Sequence, residues 1–246
     1  MAKGFFITGT DTGVGKTIVT AALIKLIRHL GFSVCGMKPI ETGCTGDKSA
    51  NLGQEAEDKN SRLIPHDGMF LNKIAGGNDS IDLVAPVRFR HPLAPYPASV
   101  IEGRDVDLKK IFTAYTALSA RHDMVIVEGI GGLLVPILRD YFVFDLAKDF
   151  GLPVIVSAHP GLGTINHTLL TVNHALREGI GVAGVIINYH KPPEGTIAED
   201  TNPGVLKEIC PVPVIGMLPY LEDLSDIAIQ TAALRNINME AIGKYL

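Results

Sequence analysis

The chain has 246 residues, 46% of them hydrophobic, and a formal net charge of −4. That is enough apolar material for one large α/β domain, and the acidic balance argues against a general nucleic-acid binder, which would carry a basic face. No apolar run approaches the roughly 18 residues of a membrane span, no basic–apolar–small leader precedes the first strand, and three cysteines without C-x-x-C spacing read as neutral thiols in a reducing compartment; a cytoplasmic protein is expected.

In chain order, the first apolar run, Phe5–Thr8, predicts a buried strand. It feeds Gly9-Thr10-Asp11-Thr12-Gly13-Val14-Gly15-Lys16-Thr17 and then the apolar periodicity of a helix over Lys16–Leu30. Strand, glycine-rich loop and helix start make a phosphate cradle, because loop amides and the helix dipole aim positive potential at an anion. Lys16 can reach the outer phosphates, and the Thr17 hydroxyl is placed to hold magnesium. The match to G-x-x-x-x-G-K-[ST] is imperfect, since Thr10 stands at the first glycine position and Gly9 comes one residue early. The surrounding strand and helix supply the context that the motif requires, so nucleoside triphosphate binding is expected.

Further strands are predicted over Ser33–Lys38, Met124–Glu128, Pro153–Ser157, Val182–Asn188 and Val212–Met217, and helices over Leu108–Arg121, Phe142–Asp149, Ile165–Glu178, Pro203–Ile209 and near Ile229–Ile242. Continuous apolar strands alternating with helices imply a mostly parallel central sheet covered by helices on both faces, a single domain over 1–246. Gly31, Gly151 and Gly179 fall at expected helix ends. The stretch from Thr42 to Pro97 breaks the rhythm with glycines and prolines; a helix near His66–Ala75 and a strand near Leu83–Phe89 are expected inside it. So long an irregular insertion reads as part of an active-site wall.

Ligands of open parallel sheets bind beyond the strand carboxyl ends, and four clusters fall there. In Met37-Lys38-Pro39-Ile40-Glu41-Thr42-Gly43, Lys38 is either a cation beside the cradle or a lysine snorkelling from the sheet rim. In Val127-Glu128-Gly129-Ile130-Gly131-Gly132, a carboxylate ending an apolar strand needs a partner or a metal, as in a Walker-B acid, and the glycines allow close approach of a substrate. Gly161-Leu162-Gly163-Thr164-Ile165-Asn166-His167 opens a second helix, either an anion site or a plain capped start. Asn188 ends another strand, where its amide could read a nucleobase or satisfy a turn. His159, His167 and His174 lack the spacing of two ligands on one helix face and read as packing or capping residues. No Ser/His/Asp arrangement with a nucleophile elbow is visible.

Together these segments resemble the dethiobiotin synthetase family, through Gly9–Thr17, Met37–Gly43, His66-Asp67-Gly68, Val127–Gly132, Gly161–Thr171, Ile187-Asn188 and Gly216–Leu221. The resemblance spans nearly the whole chain and implies a P-loop NTPase fold. It implies an ATP-dependent carboxylation and ring closure of 7,8-diaminononanoate with carbon dioxide, giving dethiobiotin, ADP and phosphate in biotin synthesis. The family's path runs through a carbamate and a carbamic–phosphoric anhydride. By the same resemblance Lys16, Lys38 and Thr12 act on the transferring phosphate and the carbamate, and Thr17, Asp67 and Glu128 hold Mg2+. Gly13, Val14, Gly15, Lys16 and Thr17 cradle ATP, while Asn188, Pro219 and Tyr220 hold adenine. Thr42, Gly131 and Gly163, Thr164, Ile165 and Asn166 bind the substrate, the last four across a homodimer interface. Relatives often carry His in the segment where Tyr96 stands, and the insertion around Cys44–Asn60 has no counterpart to which a role attaches.

Cobyrinic acid amide synthetases need a glutamine-hydrolysing domain, for which this chain has no room. Nucleotide-switched partitioning ATPases commonly carry a second lysine early in the loop, where this chain has Thr10, Asp11 and Thr12.

Overall fold

The computed structural model describes residues 3–46 and 63–246. The first strand, β1 (Lys3–Gly9), leads into α1 (Lys16–His29), then β2 (Val34–Met37), β3 (Ile40–Glu41) and β4 (Thr45–Gly46). There follow β5 (Leu63–Ile64), α2 (His66–Ile74), α3 (Ile81–Val84), β6 (Val87–Arg88), α4 (Pro95–Glu102) and α5 (Leu108–Ser119). The second half runs β7 (Met124–Glu128), β8 (Pro136–Leu138), β9 (Tyr141–Phe142), α6 (Val143–Phe150), β10 (Val154–Ala158) and α7 (Thr164–Arg177). It closes with β11 (Val182–Asn188), α8 (Ile197–Ile209), β12 (Val214–Leu218), α9 (Asp226–Asn236) and α10 (Met239–Gly243).

Six strands form one parallel sheet in the order β12-β11-β10-β1-β7-β2. Alternate side chains point to opposite faces of a strand, and here both faces are apolar. Phe5, Ile7, Met124, Ile126 and Ile155 pack on one side with α1, α2 and α9; Phe6, Val125, Val127, Val154 and Val156 pack on the other with α5 to α8. From β1 the chain moves towards β2, whereas from β10 it moves towards β12, so the connections diverge at the β1/β10 boundary. The carboxyl end of that boundary is where such sheets bind ligands. Among the described residues no helix is long and apolar enough to cross a membrane.

Four expectations are corrected by the folded chain. The strand expected over Leu83–Phe89 is a helical turn, α3, capped by the Ser80 hydroxyl, followed by the two-residue β6; Pro86 stands between them. The helix expected from Pro203 begins six residues earlier, at Ile197, where Thr196 and Glu199 form a capping box. Pro203 lies inside that helix and cannot bond the Glu199 carbonyl; the Tyr189 hydroxyl donates to that carbonyl instead, at 3.2 Å. The last helix is broken into α9 and α10, because Ile237 bridges to Gly216 and the Asn238 amide donates to the Ile215 carbonyl at 2.7 Å. A helix, α4, also stands inside the segment read as irregular, with Pro95 at its first turn and Gly103 at its end. Residues 47–60 of the unassigned insertion lie outside the described residues.

All three cysteines are unpaired. Cys35 belongs to edge strand β2, where burial, reinforced by the Asp79 charge, pushes its thiol above the ordinary value. Nearby, His122 bonds both Asp79 and Ser33 at 2.9 Å, tying the loop before α3 to the start of β2. Burial likewise pushes the Cys44 thiol up to about 12, leaving about one thiolate in 10⁴ at pH 8. Native protein at pH 8 should therefore take up one alkyl group quickly, on the half-buried Cys210. Intact-mass spectrometry over time checks this, and three additions at one rate would contradict it.

Candidate active site

The cradle follows β1 directly. Gly13 and Gly15 adopt positive φ of 79° and 80°, which L side chains rarely tolerate. A Cβ on Gly15 would stand 2.0 Å from the Asn188 amide nitrogen. The loop is braced from neighbouring strand ends: the Thr10 amide donates to the Ser157 carbonyl at 2.9 Å, and the Ser157 hydroxyl and Asn188 amide donate to the Val14 carbonyl at 3.3 and 3.1 Å. Lys16 folds back over the loop and donates to the Asp11 carbonyl at 3.0 Å. Burial, helped by the positive charge of Lys38, lowers its ammonium to about 8. An incoming polyphosphate would supply the negative charge this lysine lacks.

Lys38 leaves the end of β2 and turns into the same cleft. Its ammonium donates to Glu128 Oε1 at 2.5 Å and to Asp67 Oδ2 at 2.9 Å. Burial alone would lower its pKa, but the charges of Glu128 and Asp67 outweigh burial and hold it above the ordinary lysine value. Lys38 is therefore a committed cation, and the rim-snorkelling alternative is excluded by its 5% exposure. Glu128, at the end of β7 beside β1, also accepts from the Thr17 hydroxyl at 2.9 Å. Its second oxygen is buried without a hydrogen-bond partner. Thr17, Asp67 and Glu128 thus offer an all-oxygen donor set with an orphaned lone pair, which fits a hard divalent cation such as Mg2+.

These side chains line a cleft of about 610 Å³, within the range of small-molecule sites. The cleft gathers Thr12, Gly13, Gly15, Lys16, Thr17, Lys38, Thr42, Asp67, Glu128 and Gly131. Ile130, Val135, Pro92, Leu93 and Ala94 add an apolar wall; the last three belong to the Thr42–Pro97 stretch read from the sequence as an active-site wall, whereas Val135 carried no assignment. Val14 is 2% exposed and is not among the residues lining the cleft; its carbonyl accepts the two bonds that brace the loop. Tyr96 is not among the residues of this wall.

The remaining candidates lie outside the cleft. Gly163, with φ of 91°, precedes α7, whose start has no side-chain cap; Thr164 is buried against Thr168, and Asn166 is exposed. Asn188 pairs in register with Leu218, next to the exposed Pro219 and half-buried Tyr220. The Asn188 donor is already used on the cradle, leaving its buried Oδ1 as an orphaned acceptor. His159 accepts from the Gly161 amide and His174 packs edge-on against Phe144, as packing and capping residues do.

Sequence reasoning passed over Glu41. It is 4% exposed, lines the cleft, and accepts from the Asp67 and Gly68 amides at 2.9 Å each. Burial pushes its carboxyl up to about 7, although those amides pull it down. The one signal available was an acid following an apolar run, which the sequence offers in many places.

A family model described as an AAA domain matches residues 3–228. An ATP-dependent dethiobiotin synthetase BioD of Thermodesulfovibrio yellowstonii is 47% identical over 98% of this chain and 99% of its own length. The proteins of that name from Bacillus licheniformis and Aquifex aeolicus are 38% and 39% identical, over 98% and 87% of this chain and 95% and 86% of their own. Among solved structures, a plasmid partition protein of Borrelia burgdorferi bound to AMPPNP superposes with a TM-score of 0.53 at 15% identity, covering 100% of this chain and 99% of its own. The MinC:MinD complex of Aquifex aeolicus gives 0.53 at 14%, covering 100% and 98%. At such identity these two similarities show the fold alone.

Proposed function

The chain belongs to the ATP-dependent dethiobiotin synthetase family, and on that premise we propose that its cleft closes a cyclic urea on 7,8-diaminononanoate at the expense of ATP. The observation that carries this reading is the placement of Lys38. A buried ammonium sits between two carboxylates and faces the cradle that Lys16 covers. Phosphoryl transfer depends mainly on positioning and charge neutralisation, and a second fixed cation beside the cradle supplies both.

One substrate amine adds to carbon dioxide and loses a proton, giving a carbamate. A carbamate oxygen attacks the γ-phosphorus, ADP leaves, and a carbamic–phosphoric anhydride forms. The second amine attacks the carbonyl carbon and gives up a proton to solvent, phosphate leaves with the bridging oxygen, and the cyclic urea closes. Lys16 and Lys38 hold the γ-phosphoryl oxygens and the carbamate, with Thr12 and Thr42 beside them. The cradle amides from Gly13 to Thr17 orient the triphosphate. Mg2+, held by Thr17, Asp67 and Glu128, would neutralise charge on the phosphates. The apolar wall from Pro92 to Ala94 with Ile130 and Val135 suits the substrate's methylenes and keeps water from the anhydride. At the carboxyl ends of β11 and β12, Asn188 Oδ1, Pro219 and Tyr220 would receive adenine.

We further propose a cytoplasmic homodimer in which the open start of α7, over Gly163 to Asn166, binds the distal carboxylate of substrate held mainly by the partner. Supporting this, Leu134 and Leu162, in the loops after β7 and β10, are 61% and 90% exposed, and Leu170 on α7 is 62% exposed. Exposed large apolar side chains suit an interface. Leu162→Glu should shift sedimentation towards monomer and raise the diamine KM about tenfold, with ATP affinity unchanged. A monomeric wild type at catalytic concentration would contradict the shared site.

The reading is tested by incubating the protein with 7,8-diaminononanoate, bicarbonate and ATP, and assaying the cyclic urea by mass spectrometry. ATP turnover should require both co-substrates. Steady hydrolysis without them, and no urea, would contradict it.

A further inference from the structure

Asp67 stands in the first turn of α2, and that turn lacks a cap of its own. The N-cap position is Pro65, with no side-chain hydrogen bond to the helix. Amides of a first turn need acceptors from elsewhere. Glu41 provides them: Oε1 accepts from the Asp67 amide and Oε2 from the Gly68 amide, both at 2.9 Å. Glu41 is itself fixed, because β3 pairs with β6 and its carbonyl accepts from the Phe89 amide at 2.8 Å. Each of its two oxygens is thus used on the start of the helix.

The side chain of Asp67 is 43% exposed. Its direction towards Lys38 therefore depends largely on where its main chain is held. Lys38 and Glu41 lie three residues apart on one segment, so that segment contributes both the ammonium that meets the Asp67 carboxylate and the carboxylate that clamps the Asp67 backbone. A buried carboxylate bound to two helix amides is also well matched to the positive end of the helix.

We propose that Glu41 is a positioning residue, whose two-oxygen clamp on the start of α2 sets the Asp67 carboxylate at the cation end of the cleft. The inference rests on the metal role given to Asp67 above.

The test measures Mn2+ affinity by electron paramagnetic resonance in the presence of AMPPNP, for the parent and variants. Glu41→Gln should weaken Mn2+ binding about tenfold, in the range found for residues that orient metal ligands. Glutamine preserves the shape but turns an NH2 towards one of the two donors, so a mere packing role would leave it like the parent. Asp67→Asn should weaken binding at least as much, and the double variant should be no worse than Asp67→Asn alone. Pro65→Asp in the Glu41→Gln chain gives α2 an acceptor at its own cap and should restore most of the affinity. Parent-like Mn2+ binding in Glu41→Gln, additive losses in the double variant, or no recovery with Pro65→Asp would overturn the clamp. No effect of Asp67→Asn would overturn it together with the Asp67 assignment, while urea formation by the parent would leave the family activity standing. A Glu41→Gln chain that does not fold would be replaced by Glu41→Ala carrying Pro65→Asp, for which the same recovery is expected.

Discussion

Replacing Lys38 with alanine should lower turnover by about 10²–10³-fold, the usual loss when one preorganised donor to developing charge is removed. ATP affinity should stay within about threefold of the parent, because the cradle amides and Lys16 carry ground-state binding of the triphosphate. The two effects separate because Lys38 is already paired, at 2.5 Å with Glu128 and 2.9 Å with Asp67. It therefore has little cost of reorganisation when charge moves towards the transferred group. Stability should also fall, by about 3 kcal/mol, since truncation leaves Glu128, 1% exposed, without its cation. Retained ATP binding in the variant shows that the fold survives. Isothermal titration with AMPPNP and steady-state kinetics check the pair of values; equal losses in both would mean that Lys38 only binds nucleotide.

The second large effect is expected from Gly15→Ala. Its φ of 80° is unfavourable for alanine, and the new Cβ would collide with Asn188 at 2.0 Å and crowd His190 at 3.1 Å. Backbone strain costs about 1–2 kcal/mol. The collision matters more, because Asn188 braces the loop through the Val14 carbonyl. Displacing it moves the amides that face the phosphates, and misplacement of about 1 Å is enough to cost about 10²-fold. ATP affinity should fall about 100-fold, and turnover with it. Gly31→Ala provides the control: φ is 95° there, but nothing lies within 4 Å of the added Cβ. It should cost about 1 kcal/mol of stability and leave ATP binding intact. ATP binding by Gly15→Ala at parental affinity would contradict the described packing of the loop against Asn188.

How far the sequence foretold this molecule depends on the range of the forces involved. The parallel strands were readable because burial on both faces writes continuous apolar runs such as Met124–Val127. The cradle was readable because its chemistry is local, from Gly9 to Thr17. Pro203 misled because its cost is relieved by Tyr189, a partner from another element that no window around the proline reveals. The break between α9 and α10 depends on the Ile215 carbonyl, which is likewise remote. Glu41 was missed for the same reason, since its partners are backbone amides 26 and 27 residues away. Lys38 could be read as a cation or as a rim lysine until the fold placed Glu128, 90 residues on, against it.

The central claim, that the γ-phosphoryl group is handed to a carboxylated amine, is tested most directly with ¹⁸O-bicarbonate. The reaction is started promptly, before the label exchanges with water, and phosphate and urea are read by mass spectrometry. The account predicts one ¹⁸O in the released phosphate for each cyclic urea formed, with one retained in the urea carbonyl. Phosphate without ¹⁸O, its fourth oxygen taken from water, would contradict it, because the anhydride's bridging oxygen could then not have come from the carbamate.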